Sequence, residues 1–261
     1  MIKHLTPKTK TEIKDCILAM PSSIEKIKLL KDNYIELTKK ETQDLLKNLN
    51  KSEKLQVGFY TKNKLLIKRA IREKLDLSGQ TEVLWWGIQN NYIDIIKLVA
   101  KSGIDNRVLE KEYFLQHAID KKQKNIIEIL IESGVNIHID NDTPLIELCN
   151  AQEFELMKLF VQNGANIHAQ DDMCLITTCI NGNLEIFKYL INNGANIHAQ
   201  NELALRLACA NGHIKIVKML LDLGAEVNAN NYLAYQWAIL NDNTSEIKTL
   251  LEHYEKRLTK T

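Results

Sequence analysis

The sequence predicts an all-α solenoid of stacked helix-turn-helix units, and three observations carry that prediction. The string GANIHAQ stands at residues 164–170 and again at 194–200. Each unit holds two segments whose apolar residues recur at the three-to-four spacing of a helix face. The 261 residues include only 10 Gly and 3 Pro, too few for a turn-rich β-sandwich or for flexible linkers.

The recurrence sets the frame for the elements, since a missed period miscalls a whole fold. GVNIH at 134–138 precedes the two long copies and GAEVN at 224–228 follows them, each displaced by 30 residues. After each glycine come a short polar turn, an apolar segment, a break and an amphipathic segment. The breaks are Asn181-Gly182, Asn211-Gly212 and Asn241-Asp242. In the second segment of one unit, HIKIVKMLLDL, Ile214, Val217, Leu220 and Leu221 form an apolar face opposite Lys215, Lys218 and Asp222. Its counterpart NLEIFKYLINN has the same pattern, and Gly194 behind it suits a residue of positive φ just past a helix end. The first segment, LALRLACANG, is short, Ala-rich and apolar on most sides, as an inner helix between neighbours should be.

The unit GANIHAQNELALRLACANGHIKIVKMLLDL resembles an ankyrin repeat: a Gly-Ala turn, an inner helix, an Asn-Gly-His break and an outer helix. Thr143-Pro144-Leu145 matches the start of that family's TPLH tetrapeptide, with Ile146 in place of the His, while the later units read LALR and LAYQ there. The resemblance implies an ankyrin-repeat solenoid with shortened hairpin tips, because the missing residues are those of the Asp-Gly turn at the tip. The compact, Asn/Ile/Lys-rich form resembles the ankyrin arrays of large DNA viruses of amoebae.

Carried backwards, the register gives weaker units at 103–133 and 74–102. LQVGFYTKNKLLIKRAI at 55–71 overlays LWWGIQNNYIDIIKLVA at 84–100, placing Gly58 on Gly87. The expected array is about seven units over 45–253, clearest at 134–230. Gly58, Gly87, Ala118, Thr178, Ala208 and Ala238 form a column of small residues, interrupted by Leu148, which lets neighbouring inner helices approach. The last outer helix keeps Ile247, Leu250 and Leu251 as anchors and reads as a polar-faced cap, followed by a charged tail at 254–261. Residues 1–44 lack the repeat and read as Lys-rich helices broken at Pro21, where Ser22 or Ser23 suits a helix cap.

Net charge is +1, so no global attraction to nucleic acid or membrane is implied. Its distribution is uneven: residues 1–80 hold 18 Lys+Arg and 10 Asp+Glu, residues 81–261 hold 16 and 23. The start Met1-Ile-Lys-His-Leu lacks a signal peptide's apolar stretch, and no run approaches the ~18 apolar residues of a membrane helix. The five cysteines are odd in number and sit in helical patterns, which suits a reducing compartment. An intracellular, cytoplasmic protein is expected, in the host cytoplasm if viral.

His138, His168 and His198 recur every 30 residues and invite a metal reading. Stacked helices lie about 8–10 Å apart, whereas zinc needs ligand atoms within about 2 Å of one ion. One His per unit makes a ladder rather than a cage, so no metal is expected. Cys149, Cys179 and Cys209, also 30 apart, read as small buried hydrophobes, and Cys174 has no base and orienter nearby. His213 reads as the structural residue of the break. Trp85, Trp86 and Trp237 suit either core packing or ligand anchoring, with packing favoured because Trp86 and Trp237 share a repeat position. No phosphate loop, HExxH or GxSxG is present, so neither a catalytic residue nor a cofactor is expected.

The resemblance implies a non-enzymatic scaffold for protein–protein interaction, with the partner docked on a concave face of turns and inner helices. The expected contact residues are Asp140, Asn141 and Asp142, then Gln170, Asp171 and Asp172, Gln200, Asn201 and Glu202, and Asn230, Asn231 and Tyr232. Asn150, Ile180, Asn181, Asn211 and Asn241 add the inner-helix ends. This polar, mildly acidic row fits a protein with a polar or basic surface, bound by a monomer, with neither specific nucleic acid nor membrane as partner. The alternative is a substrate-recruiting adaptor for ubiquitin ligation, since EIKDCILAMPSSIEKIKLL at 12–30 is faintly similar to an F-box.

Overall fold

In the computed structural model the described residues are 47, 50–60, 63–111, 113–239 and 245–258. The helices expected within 1–44, the F-box-like stretch and Asn241 lie outside them. The described residues form fifteen helices and no strand, in two compact units, the first through Val135 and the second from Asn136.

The first unit contains α1 (Lys51–Tyr60), α2 (Lys64–Arg72), α3 (Leu77–Gln89), α4 (Ile93–Ser102), α5 (Asn106–Leu109), α6 (Tyr113–Asp120) and α7 (Lys124–Glu132). Helices pair as α1–α2, α3–α4 and α6–α7, with α1, α3 and α6 in one row and α2, α4 and α7 in the other. The second unit contains α8 (Thr143–Asn150), α9 (Phe154–Gln162), α10 (Ala169–Asn181), α11 (Leu184–Asn192), α12 (Ala199–Ala210), α13 (Ile214–Asp222), α14 (Ala229–Ile239) and α15 (Ser245–Leu258). Here α8, α10, α12 and α14 stack as the inner row, each with the helix after it as its outer partner. This is the all-α stack of helix pairs that the periodicity predicts.

Helix ends follow from the residues at the breaks. Asn63, Asp76 and Asn183 accept backbone N–H groups of the first turns of α2, α3 and α11 through their side chains, satisfying donors with no partner inside the helix. Gly182 closes α10 in the left-handed conformation, φ 74° and ψ 18°. The equivalent breaks without glycine force Asn91, Lys122 and Gln152 to φ between 52° and 58°, which costs a side-chain-bearing residue about 1–2 kcal/mol each.

The core lies between the two rows. Phe114, Phe160 and Phe187 are fully buried, as are Ile126, Leu190 and Leu220. Burying each such side chain contributes about 1.5–3 kcal/mol. On α13 the buried stripe is Ile216, Val217, Leu220 and Leu221; Ile216 replaces the expected Ile214, which is only half-buried. Ile247 and Leu251 anchor α15, with Ser245, Glu246, Lys248 and Thr249 exposed, so the last helix presents the polar outer face of a cap.

At its two glycines the column of small residues makes room for the outer helix of the same pair. A Cβ at Gly58 would lie 2.6 Å from Cγ1 of Ile67, and one at Gly87 would lie 2.9 Å from Cγ1 of Ile96. Ile67 and Ile96 belong to the outer helix of the same pair. At Gly58 and Gly87 the small residue therefore admits a β-branched side chain of the outer helix of its own pair. Thr178 fits because its hydroxyl donates to the Cys174 carbonyl one turn back, at 2.8 Å.

Candidate functional site

The turns that lead from each outer helix to the next inner helix concentrate the polar residues of the second unit. Ala165, Ile167 and Ala169 are buried while Asn166, His168 and Gln170 are exposed, and the same alternation holds at 135–140 and 195–200. The chain then makes one turn of left-handed backbone: φ is 44–57° at Asp140, Asn141 and Asp142, and 52–59° at Gln170, Asp171 and Asp172. Gln200, Asn201 and Glu202 repeat it at 51–60°, and Asn230, Asn231 and Tyr232 at 53–64°. Asn and Asp, the commonest residues here, are the side chains that tolerate this region best. The left-handed triplet takes the place of the hairpin tip missing from the sequence.

Each of the first three triplets is held by a motif of three residues. The side-chain carbonyl of Asn136, Asn166 or Asn196 accepts the N–H of the histidine two residues on, at 2.9–3.0 Å. The histidine then turns its ring onto the carboxylate four residues further. His138 Nδ1 lies 3.0 Å from Asp142 Oδ1, His168 Nδ1 lies 3.0 Å from Asp172 Oδ1, and His198 Nδ1 lies 2.5 Å from Glu202 Oε1. A carboxylate can only accept, so Nδ1 carries the proton in each ring. The last turn departs at all three positions together, with Glu226, Asn228 and Tyr232. There the Tyr232 hydroxyl bonds Glu255 of α15 instead, and that carboxylate raises the phenol's pKa.

Asp142, Asp172 and Glu202 were expected in the exposed contact row. They are turned inward and only 4–5% exposed, because each is the acceptor that satisfies a histidine N–H. Asp172 also accepts the backbone N–H of Asn196 at 2.8 Å, tying one turn to the next. Reversing these charges would report on folding before contact. Among the described residues no group of three or more His, Cys, Asp and Glu is placed to hold a metal.

The remaining row divides in two. Some amides brace adjacent repeats: Gln170 Nε2 donates to Thr143 Oγ1 at 2.9 Å, Gln200 Nε2 to the Asp171 carbonyl at 3.3 Å, and Asn181 Nδ2 to the Asn150 carbonyl at 3.0 Å. Asn211 caps its own helix by donating to the Leu207 carbonyl. Asp140, Asn141, Asp171, Asn201, Asn230, Asn231, Ile180 and Tyr232 are exposed beside them. At the other end of the hairpins, the His213 ring donates from Nε2 to the Ile180 carbonyl at 2.8 Å and sits on Gly182, where a Cβ would meet it at 2.4 Å.

Cys149, Cys174, Cys179 and Cys209 are free and fully buried. A hydrogen bond with the Cys149 thiol, then burial, pushes the Cys174 thiol far up; burial alone raises Cys179 and pushes Cys209 up to about 12. With their thiols raised, Cys174, Cys179 and Cys209 are not ready nucleophiles at neutral pH. The tryptophans are half-buried. Trp86 packs between Phe59 and Tyr92, and Trp237 lies under the Arg206 guanidinium at 5.2 Å. Trp85 reaches across to α6, 5.2 Å from Tyr113 and 4.9 Å from His117.

Stacked αα hairpins braced turn to turn define a helical-repeat protein of the kind that displays a surface. A family model described as ankyrin repeats (3 copies) matches residues 84–171, 149–231 and 175–261. Together these span well over half of the sequence, and the chain belongs to the ankyrin-repeat family. No curated protein matches it. Ankyrin repeats are generally protein–protein interaction modules and typically non-enzymatic, and no described helix is long and apolar enough to cross a membrane.

Proposed function

We propose that the protein is a non-enzymatic scaffold that binds a protein partner through the exposed row of its left-handed turns and the C-terminal ends of its inner helices. The supporting observation is the division of labour within each turn. In the first three turns an inward carboxylate and neighbouring amides fix the backbone and leave Asp140, Asn141, Asp171 and Asn201 exposed, and Asn230 and Asn231 are exposed at the same positions of the last turn. A row held in advance loses little conformational entropy on binding. Ile180, 40% exposed, and Tyr232, 43% exposed, add apolar contact among the polar groups. The row carries carboxylates and no lysine or arginine, so it fits a polar or basic partner surface. We read the protein as a cytoplasmic monomer, in the host cytoplasm if it is viral, as its likeness to the compact arrays of amoebal viruses suggests.

The test is affinity capture from cell lysate by the full-length protein and by a variant carrying Asp140→Asn, Asp171→Asn and Ile180→Ser. These changes keep residues that accept positive φ and leave the buried carboxylates intact. Capture of the partner should fall at least tenfold, as expected when several contacts worth about 0.5–1 kcal/mol each are lost. Equal capture would remove this face from consideration.

A further inference from the structure

We infer that the outward face of α2 and α4, a group of basic side chains centred on Leu65, is a docking surface for an acidic helical segment of a protein partner. The inference rests on the reading of the protein as an interaction scaffold. It adds a second surface, in the first unit, for a segment opposite in charge to the one that the turns fit. Helix α2 turns Leu66, Ile67, Ala70 and Ile71 into the core. Its opposite arc holds Lys64, Leu65, Lys68, Arg69 and Arg72, and no acid. Leu65 is 77% exposed. Lys68, Arg69 and Arg72 follow it by three, four and seven residues, so all three border it on the helix surface. A single exposed leucine is ordinary, but this one stands at the centre of a cationic face.

The next outer helix continues the charge. Helix α4 packs beside α2, and the overlay of Gly58 on Gly87 puts Lys97 at the position of Lys68 and Lys101 at that of Arg72. Both are exposed. Two carboxylates answer the group: Asp94 meets Lys68 at 2.7 Å and Glu73 meets Arg69 at 3.7 Å. Among the described residues Arg72, Lys97 and Lys101 meet none. The hydrogen bond from Lys68, with the charges of Lys68 and Lys64, holds the Asp94 carboxyl below its ordinary range, as a positive surface should. Packed helices lie about 8–10 Å apart, so two rows of cations stand within reach of one helix laid along them. Arginine forks donate to carboxylates in pairs, and an apolar residue set among those carboxylates covers Leu65. A nucleic-acid strand offers Leu65 nothing apolar, and the Tyr92 ring already carries the Lys64 ammonium 3.9 Å from its centre, where a base would stack. A lipid surface takes up apolar side chains in number, and this face presents one.

The test is a fluorescence titration of the full chain with a labelled synthetic helix of alanine and glutamine that carries one leucine, with glutamates three and four residues to either side. The control peptides replace each glutamate by glutamine, or the leucine by serine. The acidic peptide should bind saturably and each control about tenfold more weakly. Leu65→Ser, at an exposed position, should weaken binding of the acidic peptide about tenfold without altering the melting temperature. Arg72→Gln combined with Lys101→Gln should weaken it by as much and flatten its dependence on salt. Phosphatidylserine vesicles and a DNA duplex, titrated alongside, should bind more weakly than the acidic peptide. Equal binding of the glutamine peptide, unchanged binding by Leu65→Ser, or tighter binding of vesicles or duplex would overturn the assignment. The readout leaves the turn residues intact and needs no partner from a lysate. Its failure therefore leaves the turn surface of the second unit standing, and unchanged capture by the turn variant would leave this surface standing.

Discussion

Asp171 and Asp172 are neighbours with the same side chain and opposite duties. Asp171 is exposed, while Asp172 is buried and accepts from both the His168 ring and the Asn196 backbone. Asp172→Ala should lower stability by about 2 kcal/mol, since it strands two donors in a shielded place. Asp171→Asn should stay within about 0.5 kcal/mol of the parent, as ordinary surface changes do. Urea unfolding of the two variants checks the contrast, and equal costs would refute it. The sequence could not separate them by residue type, because a charged residue in a polar turn reads as solvated. A signal was nevertheless present: Asn, His and acid at three fixed offsets are replaced together by Glu226, Asn228 and Tyr232 in the last turn.

Glu82 gives a pH signature at the same scale. Burial, and then Asp76, hold its folded-state pKa above the ordinary 4.5, so the fold favours the protonated carboxyl. Its stabilising contribution is complete below 4.5 and is lost as the pH rises through the folded-state value. Glu82→Gln should therefore melt slightly higher than the parent at neutral pH. The gap should close as the pH falls towards 4.5. A gap that widens on acidification would contradict the sign.

At the scale of the element, helices and breaks were readable because their causes are local. Amphipathic spacing set the outer helices, and Asn-Gly pairs marked where α10 and α12 end. The left-handed triplets were not readable, because residues such as Gln170 and Glu202 have no strong preference for positive φ and are held there by their neighbours. The breaks that lack glycine give a direct test. Gln152 has φ 58° at the position where Gly182 and Gly212 stand in later units. Gln152→Gly should raise stability by about 1 kcal/mol by relieving that conformation; its side chain makes only a long 3.4 Å bond with Asn183. A loss of stability would show that the bond outweighs the strain. The small column teaches the converse lesson. The sequence located Gly58 and Gly87 correctly and missed their partners, since nothing along the chain says that Ile67 and Ile96 fill the space.

For the whole molecule, repetition carries most of the information. In a stack each unit touches only its neighbours, so stability is a sum of unit and interface terms. The interfaces within the second unit are recorded as bonds between residues roughly one period apart: Gln170 with Thr143, Asn181 with Asn150, His213 with Ile180, and Asn196 with Asp172. The period predicted that such neighbours exist and left open which side chains join them.

The most direct measurement of this arrangement is the set of nuclear Overhauser contacts made by the Asn196 amide proton in solution. The packed turns predict cross-peaks from that proton to the β protons of Asp172, and from the Gln170 side-chain amide to Thr143. Cross-peaks confined within single hairpins, with none between adjacent repeats, would contradict the stack.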